Sequence, residues 1–360
     1  MTSFLFRGSA AGVGIEIAPV RLQVAQLQRS RQGLKLVALA SAPMPEGYVE
    51  DGLVVDTDGV GELIKSLLQE HKMRAKRAAL AIPAHRTVTR LVKLPAELDD
   101  AELRENVENE QAALFLPYPR EEADLDFQRL GLSRTEDDQE LVEVLLAATR
   151  KETTDSYMEA AQKAGLTVRS VEITSFALLR VLREQLRQTF TEREAAAVVD
   201  IGYDNTEINI VVDGVPQFSR DVPIGVLEMQ NAVSRAASMP VSRNPHWAQT
   251  VSVPEEGDAT APTNRPGMAL IRVLQELADE LRRSIDFYRD QPESMEVVQV
   301  LLAGPGAAIG QLDEYLSHRL GIAATCVDPI RILNIETAQE IPLAERPGLG
   351  VVLGLALREA

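Results

Sequence analysis

The segment Val198 to Gly214, VVDIGYDNTEINIVVDG, reads as a buried β-branched strand, a tight polar turn and a second strand that turns back at Asp213-Gly214. An acid at such a strand end can hold a hydrated Mg²⁺. Gly202 lets a phosphate approach the backbone, and the turn amides and the Thr206 hydroxyl can donate to its oxygens. The same residues also suit a purely structural hairpin, because hairpin turns favour them.

Residues 12–27 partly repeat the scheme, with an apolar strand, Glu16, a small-residue turn and an alternating second strand, and a further strand follows Gly33. Near the other end, Val297 to Ile309 is a β-branched run closed by Gly304-Pro305-Gly306 that leads into a helix, so backbone can pass close to a flat ligand. Two phosphate-type hairpins and a late glycine turn point to a nucleotide clamped between two domains.

That set, in that order, resembles the actin-like ATPase superfamily and, within it, the type IV pilus assembly protein PilM family. Further matching text includes Val49 to Asp56, Ala78 to Pro83, Gln111 to Pro119, Asp124 to Gln128, Leu145 to Glu152, Val171 to Leu178, Arg283 to Tyr288 and Gly350 to Arg358. The resemblance implies an α/β fold with two ribonuclease-H-like domains around a nucleotide cleft and an α+β insert in the first. The first domain is expected over 1–84 and 166–192, the insert over 85–165, and the second domain over 193–360. An outer subdomain is expected over 226–295.

Composition agrees with a globular chain, since 360 residues are 45% hydrophobic and 25% charged. A net charge of −17 disfavours nonspecific contact with nucleic acid or an anionic bilayer and favours basic or mixed partner surfaces. The single Cys326 excludes an intrachain disulfide and suits a reducing cytoplasm. No stretch approaches the ~20 apolar residues that span a bilayer, and Met1 to Gly8 is too short for a secretory leader. His71, His85, His246 and His318 show no ligand spacing, so no metal beyond nucleotide-bound Mg²⁺ is expected.

Along the chain, three strands are expected over 12–43. A helix follows from Thr57 to His71, with Val60, Leu63, Ile64, Leu67 and Leu68 at helical spacing behind an Asp56 or Thr57 cap, and a strand from Ala78 to Ile82. The insert reads strand, helix (Asp99 to Phe115), two strands with a charged tip over Leu132 to Glu140, and helix (Lys151 to Ala164). A polar link, Gln188 to Arg193, precedes the second domain. Its segment 240–267 reads as irregular or mobile, with Trp247 either tacking the loop down or anchoring a partner. The helix Met268 to Arg289 buries Leu270, Leu274, Leu277, Ala278, Leu281 and Ile285.

The resemblance implies that Asp200 orients Mg²⁺ through water while Gly202, Tyr203, Asn205 and Thr206 line the triphosphate of ATP. Gly304, Pro305 and Gly306 then lie near ribose and base, and Glu280, Arg283 and Ser284 lie on a helix that packs on the adenine. The first hairpin departs from the family pattern. Glu16 is longer than the usual Asp, Ala18 replaces a glycine, and Pro19 and Val20 replace hydroxyl donors, so this turn is a poor phosphate cradle. Arg21 reads either as a compensating clamp or as an outward-facing strand residue. Hydrolysis needs a water-positioning group, and Glu172 is the candidate, with helix capping as its competing role. Slow turnover, below ~1 per second, is expected, with nucleotide acting as a conformational ligand.

PilM resemblance also implies a groove between first domain and insert for the cytoplasmic tail of a PilN-like bitopic membrane protein. Leu91, Leu94, Leu114, Phe115, Leu116 and Tyr118 are its candidate lining. Pilus motor ATPases and self-association are further implied partners, and the expected location is cytoplasmic, at the inner membrane through the partner. Two rivals share the superfamily: a polymerising FtsA-like cell-division protein and a sugar-kinase-type phosphotransferase. The first ordinarily ends in an amphipathic membrane helix, and here Val352 to Ala360 carries only Arg358 as a basic residue. The second needs a catalytic base near the cleft, where only Glu172 is evident.

Overall fold

The computed structural model describes residues 12–31, 33–134, 138–189, 194–254 and 264–360. The N-terminal residues 1–11, the end of the 188–193 link, the middle of the charged tip and part of the 240–267 segment lie outside them. Two sheets of one design organise the rest. In the first, β1 (Val13–Ile17), β2 (Arg21–Ser30) and β3 (Gly33–Pro43) form an antiparallel meander. After a two-strand hairpin, β4 (Val49–Glu50) and β5 (Leu53–Val54), comes α1 (Thr57–Glu70), whose Asp56 cap accepts from Gly59 N. Val60, Ile64, Leu67 and Leu68 share its buried face, so the helix lies on the sheet. Strand β6 (Arg77–Ile82) then runs parallel to β1.

The insert is a three-stranded sheet with the order β7 (Thr87–Pro95), β9 (Glu140–Arg150), β8 (Ala123–Arg134). It is covered by one helical run: α2 (Asp100–Glu105), a π-helical stretch over Asn106–Gln111 and α3 (Ala112–Phe115). Helix α4 (Lys151–Lys163), placed in the insert by the sequence reading, buries Tyr157, Ala160 and Ala161 in the core that holds Ile64 and Leu80. The insert therefore stops near 150. Strand β10 (Thr167–Ile173) rejoins the first sheet beside β6, and α5 (Thr174–Thr189) follows.

In the second lobe, β11 (Glu194–Ile201), β12 (Thr206–Val212) and β13 (Val215–Val222) repeat the meander. Helices α6 (Val226–Ala236) and α7 (Arg265–Arg289) pack on it, and β14 (Glu296–Ala303) runs parallel to β11. Helix α8 (Leu312–Leu320) leads to β15 (Ala323–Cys326), which is parallel to β14. The strand orders match, β3-β2-β1-β6-β10 against β13-β12-β11-β14-β15. Among the described residues of 226–295 no separate outer subdomain forms, because Leu270, Leu274 and Leu281 of α7 enter the same core as Ile208 and Ile210 of the sheet. Trp247 joins that core at 9% exposure, and its segment is pinned by hydrogen bonds from Val253 N to Gly310 O and from Gly310 N to Val251 O. The described part of 240–254 is thus irregular in shape yet firmly packed.

The chain then returns to the first lobe, which corrects the expected boundary. After α9 (Pro329–Ile332), β16 (Ile335–Glu336) pairs with β3, and α10 (Gly350–Glu359) packs on β1, β2, β6 and α5. Gly14 permits this approach, since a Cβ there would strike the Ala356 amide and the Val352 carbonyl. Helix α10 is apolar nearly all round because it is enclosed. Leu355 of this helix and Leu178 of α5 join side chains of both sheets, including Ala79, Val198 and Leu301, into one core between the lobes.

Candidate functional site

The two hairpins place their acids alike. Glu16 of β1 stands opposite Gln23 of β2, and Asp200 of β11 stands opposite Glu207 of β12. Glu207 in turn faces Asp221 of β13, so three carboxyls form a row on the face of the second sheet turned toward α5. Burial pushes the Asp200 carboxyl up to about 8, and the neighbouring Glu207 and Glu16 charges add to the push. Burial lifts Glu16 to about 7 against the pull of Arg21, and its Oε2 finds no hydrogen-bond donor among the described residues. Asp221 rises to about 7 through burial, then through the charges of Glu207 and Asp51.

Glu207 is buried at 7% exposure and is also raised by burial. It accepts from Asn209 Nδ2 at 3.0 Å and from Thr174 Oγ1 at 3.2 Å, at the N-terminus of α5, where the helix dipole favours its charge. The sequence reading did not single this residue out. The hairpin carried the signal, because a four-residue turn between Ile201 and Thr206 sets 200 against 207.

The acids suit a hydrated divalent cation held through water. Among the described residues no three His, Cys, Asp or Glu side chains stand close enough to cage a metal directly. The phosphate half of a Mg²⁺-nucleotide does not fit the arrangement as it stands. Thr206 Oγ1 donates to Ile224 O at 2.6 Å, Tyr203 OH to Pro245 O at 3.2 Å, and Gly202 N to Asn205 O at 2.9 Å. In the late turn Gly304 N donates to Pro347 O, and its φ of +81° brings the backbone against Asp200 Oδ1, where a Cβ would collide. In the first turn Ala18 N donates to Arg21 O, Pro19 has no N–H, and Val20, 1% exposed, sits in the second lobe's apolar core. Arg21 is buried and turned sideways, donating to Gln23 Oε1 at 2.8 Å and to Gly348 O at 3.2 Å.

Of the other residues named from sequence, Pro305 and Gly306 open a short 3₁₀ turn beside β11, and Ala303, which precedes Gly304, pairs with Asp200. Glu280, Arg283 and Ser284 stand together on α7. Glu280 accepts from Arg220 at 2.7 Å and from Arg283, whose hydrogen bond lowers its pKa, while the buried Ser284 donates to Glu280 O. Glu172 is engaged elsewhere. Arg180 grips it at 2.8 and 2.5 Å, Arg358 lies at 3.6 Å, and it lines a groove on the insert side instead of joining Glu16 and Asp200.

That groove, about 690 Å³, has three walls: strand β8 of the insert, helix α5 with Arg358 of the first lobe, and the turn Asp213 to Pro216 of the second. Among the described residues strand β8 is an end strand, paired with β9 alone, so its outer edge offers main-chain groups. Phe127, Leu130, Phe176 and Val215 supply half-buried apolar surface. The groove lies where insert and first lobe meet, but its lining is not the expected one. Leu94 is in the insert's own core, Leu91 is on β7 beyond β9, and Leu114 is 72% exposed on the helical run. Phe115 and Tyr118 are half-buried beneath Arg90 and Arg150, and Leu116 is half-buried beside them. Side-chain size and loop position suggested those residues, whereas the groove is made by strand order.

Duplicated five-strand halves, paired acids at equivalent strand ends and an enclosed helix pair between them define an actin-like ATPase fold. The chain belongs to the type IV pilus assembly protein PilM family, whose sequence model, described as type IV pilus assembly protein PilM, matches residues 14–360. It is similar to the structure described as a PilM-PilN type IV pilus biogenesis complex, with 26% identity, a TM-score of 0.81, and coverage of 97% of this chain and 98% of that one. It shares the fold with ethanolamine utilization protein EutJ from Carboxydothermus hydrogenoformans, at 15% identity, a TM-score of 0.55, and 97% and 90% coverage. The fold also matches MreB5 of Spiroplasma citri bound to ADP, at 10% identity, a TM-score of 0.52, and 98% and 96% coverage.

Proposed function

We propose that this protein is an assembly scaffold that docks the cytoplasmic tail of a PilN-like membrane protein in the groove between insert and lobes. The observation that carries this reading is the outer edge of β8 beside half-buried Phe127, Leu130 and Phe176. An extended peptide can take its main-chain bonds from such an edge and seat alternate side chains against the apolar wall. The similar structure of a PilM-PilN complex supports the choice of partner. Among the described residues no helix is long and apolar enough to cross a membrane, so attachment at the inner membrane would come through that partner. Titration of a synthetic PilN-tail peptide into the purified protein, followed by calorimetry, tests it. Saturable binding lost in Phe176→Ala supports the docking site, and binding unchanged by Phe176→Ala rules it out.

A second reading gives the cleft a Mg²⁺-nucleotide as conformational ligand with at most slow hydrolysis. It is favoured by the convergence of Glu16 and Asp200, and would need the first and second turns to part before phosphate could reach their donors. Mg²⁺-ATP titration with Asp200→Ala as control tests it, because binding unaffected by that change removes the assignment.

A further inference from the structure

The turn Ala18 to Arg21 belongs to the first lobe, with Val20 O accepting from Met44 N beside β3, yet its side chains pack into the second lobe. Val20 shares a core with Ile201, Tyr203, Ile224 and Trp247, and Ala18 packs against the same cluster. Aliphatic carbon thus fills the gap between two turns that would otherwise face each other across an anion. A second tie crosses above it. Arg243, from the segment pinned by Trp247, donates to Pro19 O at 2.7 Å and lies 3.8 Å from Glu46. A third runs through Arg21, whose guanidinium lies 5.7 Å from the Tyr203 ring and bonds Gly348 O, next to the Pro347 carbonyl that holds Gly304. In two-lobed folds a bound ligand commonly supplies the closing contacts. Here apolar packing and main-chain hydrogen bonds supply them.

Closure has a consequence for the groove, because one of its walls, Asp213 to Pro216, comes from the second lobe. We propose that Val20, as a plug, and Arg243, as a strap, latch the lobes shut without nucleotide, so that the peptide groove stands assembled constitutively and partner docking does not depend on nucleotide state. The consequence for docking rests on the peptide reading above; the latch itself does not.

Hydrogen exchange on the nucleotide-free, full-length protein tests the latch directly, followed over 13–27 and 198–208. In the wild type both stretches are slow, and Mg²⁺-ATP leaves them unchanged. Val20→Ser combined with Arg243→Ala speeds both by at least tenfold while α1 and the insert core keep wild-type protection, and it weakens binding of a synthetic PilN-tail peptide by at least tenfold. Arg243→Ala alone, a change at a half-buried side chain outside the apolar core, speeds exchange over 13–27 to a smaller degree and serves if the double variant does not fold. The proposal is overturned if the wild-type turns exchange freely and become protected only with Mg²⁺-ATP, or if the variants exchange like the wild type. If no peptide binds in any state, the docking reading fails while exchange still decides the latch.

Discussion

Asp200 and Glu207 stand directly opposite each other across the β11–β12 ladder, two carboxyls on one face of the sheet. When ionised, carboxyls so placed repel and weaken the sheet, and Asp221 on the next strand extends the row. The hairpin therefore folds at its own expense, and the α5 N-terminus relieves only Glu207.

The buried acids of the two hairpins make stability fall as pH rises. Asp200, at about 8, and Glu16, at about 7, both hold protons in the folded state that the unfolded chain releases near pH 4. Their contribution is whole below the unfolded values and is lost as pH climbs through the folded ones. Without divalent cations, the melting temperature is expected to fall between about pH 5 and about pH 8, and Asp200→Asn should flatten that fall. A wild-type profile that rises over this interval, or one unchanged by Asp200→Asn, speaks against the assignment.

Glu172 is expected to act on stability and not on chemistry. Glu172→Ala leaves Arg180 and Arg358 without their shared carboxylate and should cost roughly 1–3 kcal/mol in urea unfolding, less than a fully buried pair because Arg180 is 25% exposed. Any slow ATP hydrolysis should continue at the wild-type rate in this variant. Abolished turnover with unchanged stability would return Glu172 to a catalytic role.

The groove and the sequence-named apolar residues can be separated by mutation. Phe127→Ala and Phe176→Ala are each expected to weaken peptide binding about tenfold or more, as loss of a buried aromatic anchor does. Leu114→Ala, at a side chain 72% exposed and outside the groove, should leave the affinity within about twofold. The reverse pattern in fluorescence anisotropy would move the docking site to the helical run.

Trp247 distinguishes a packed strap from a mobile loop. Because it is 9% exposed within the second lobe's core, Trp247→Ala should destabilise the protein by about 3–5 kcal/mol. A loss below about 1 kcal/mol would mean that the segment is only loosely attached.

Periodicity and turn chemistry made the duplicated halves legible, since β-branched runs broken by Asp-Gly and Gly-Pro-Gly turns leave little freedom in strand placement. Helices α1 and α7 were readable for the same reason, from Leu and Ile at helical spacing. Contacts distant in sequence were not. Nothing local in Gly350 to Glu359 says which lobe it completes, and an apolar helix fits either. Val20 reads only as a turn residue that lacks a hydroxyl donor until the second lobe closes over it. Glu172 and Glu207 are indistinguishable as isolated acids, and only the placement of Arg180 and Asp200 around them separates an ion pair from a cleft carboxyl. The groove depends on β8 being an end strand, which strand order in space decides.

The first lobe is assembled from stretches that lie far apart, with β16 and α10 entering its sheet and core only after the second lobe's 194–327 have been made. The second lobe is continuous in sequence and can complete its own hydrogen-bond ladder first. During synthesis, then, the earlier-made lobe waits for the later one, with the bed of its closing helix exposed until Gly350–Glu359 leave the ribosome.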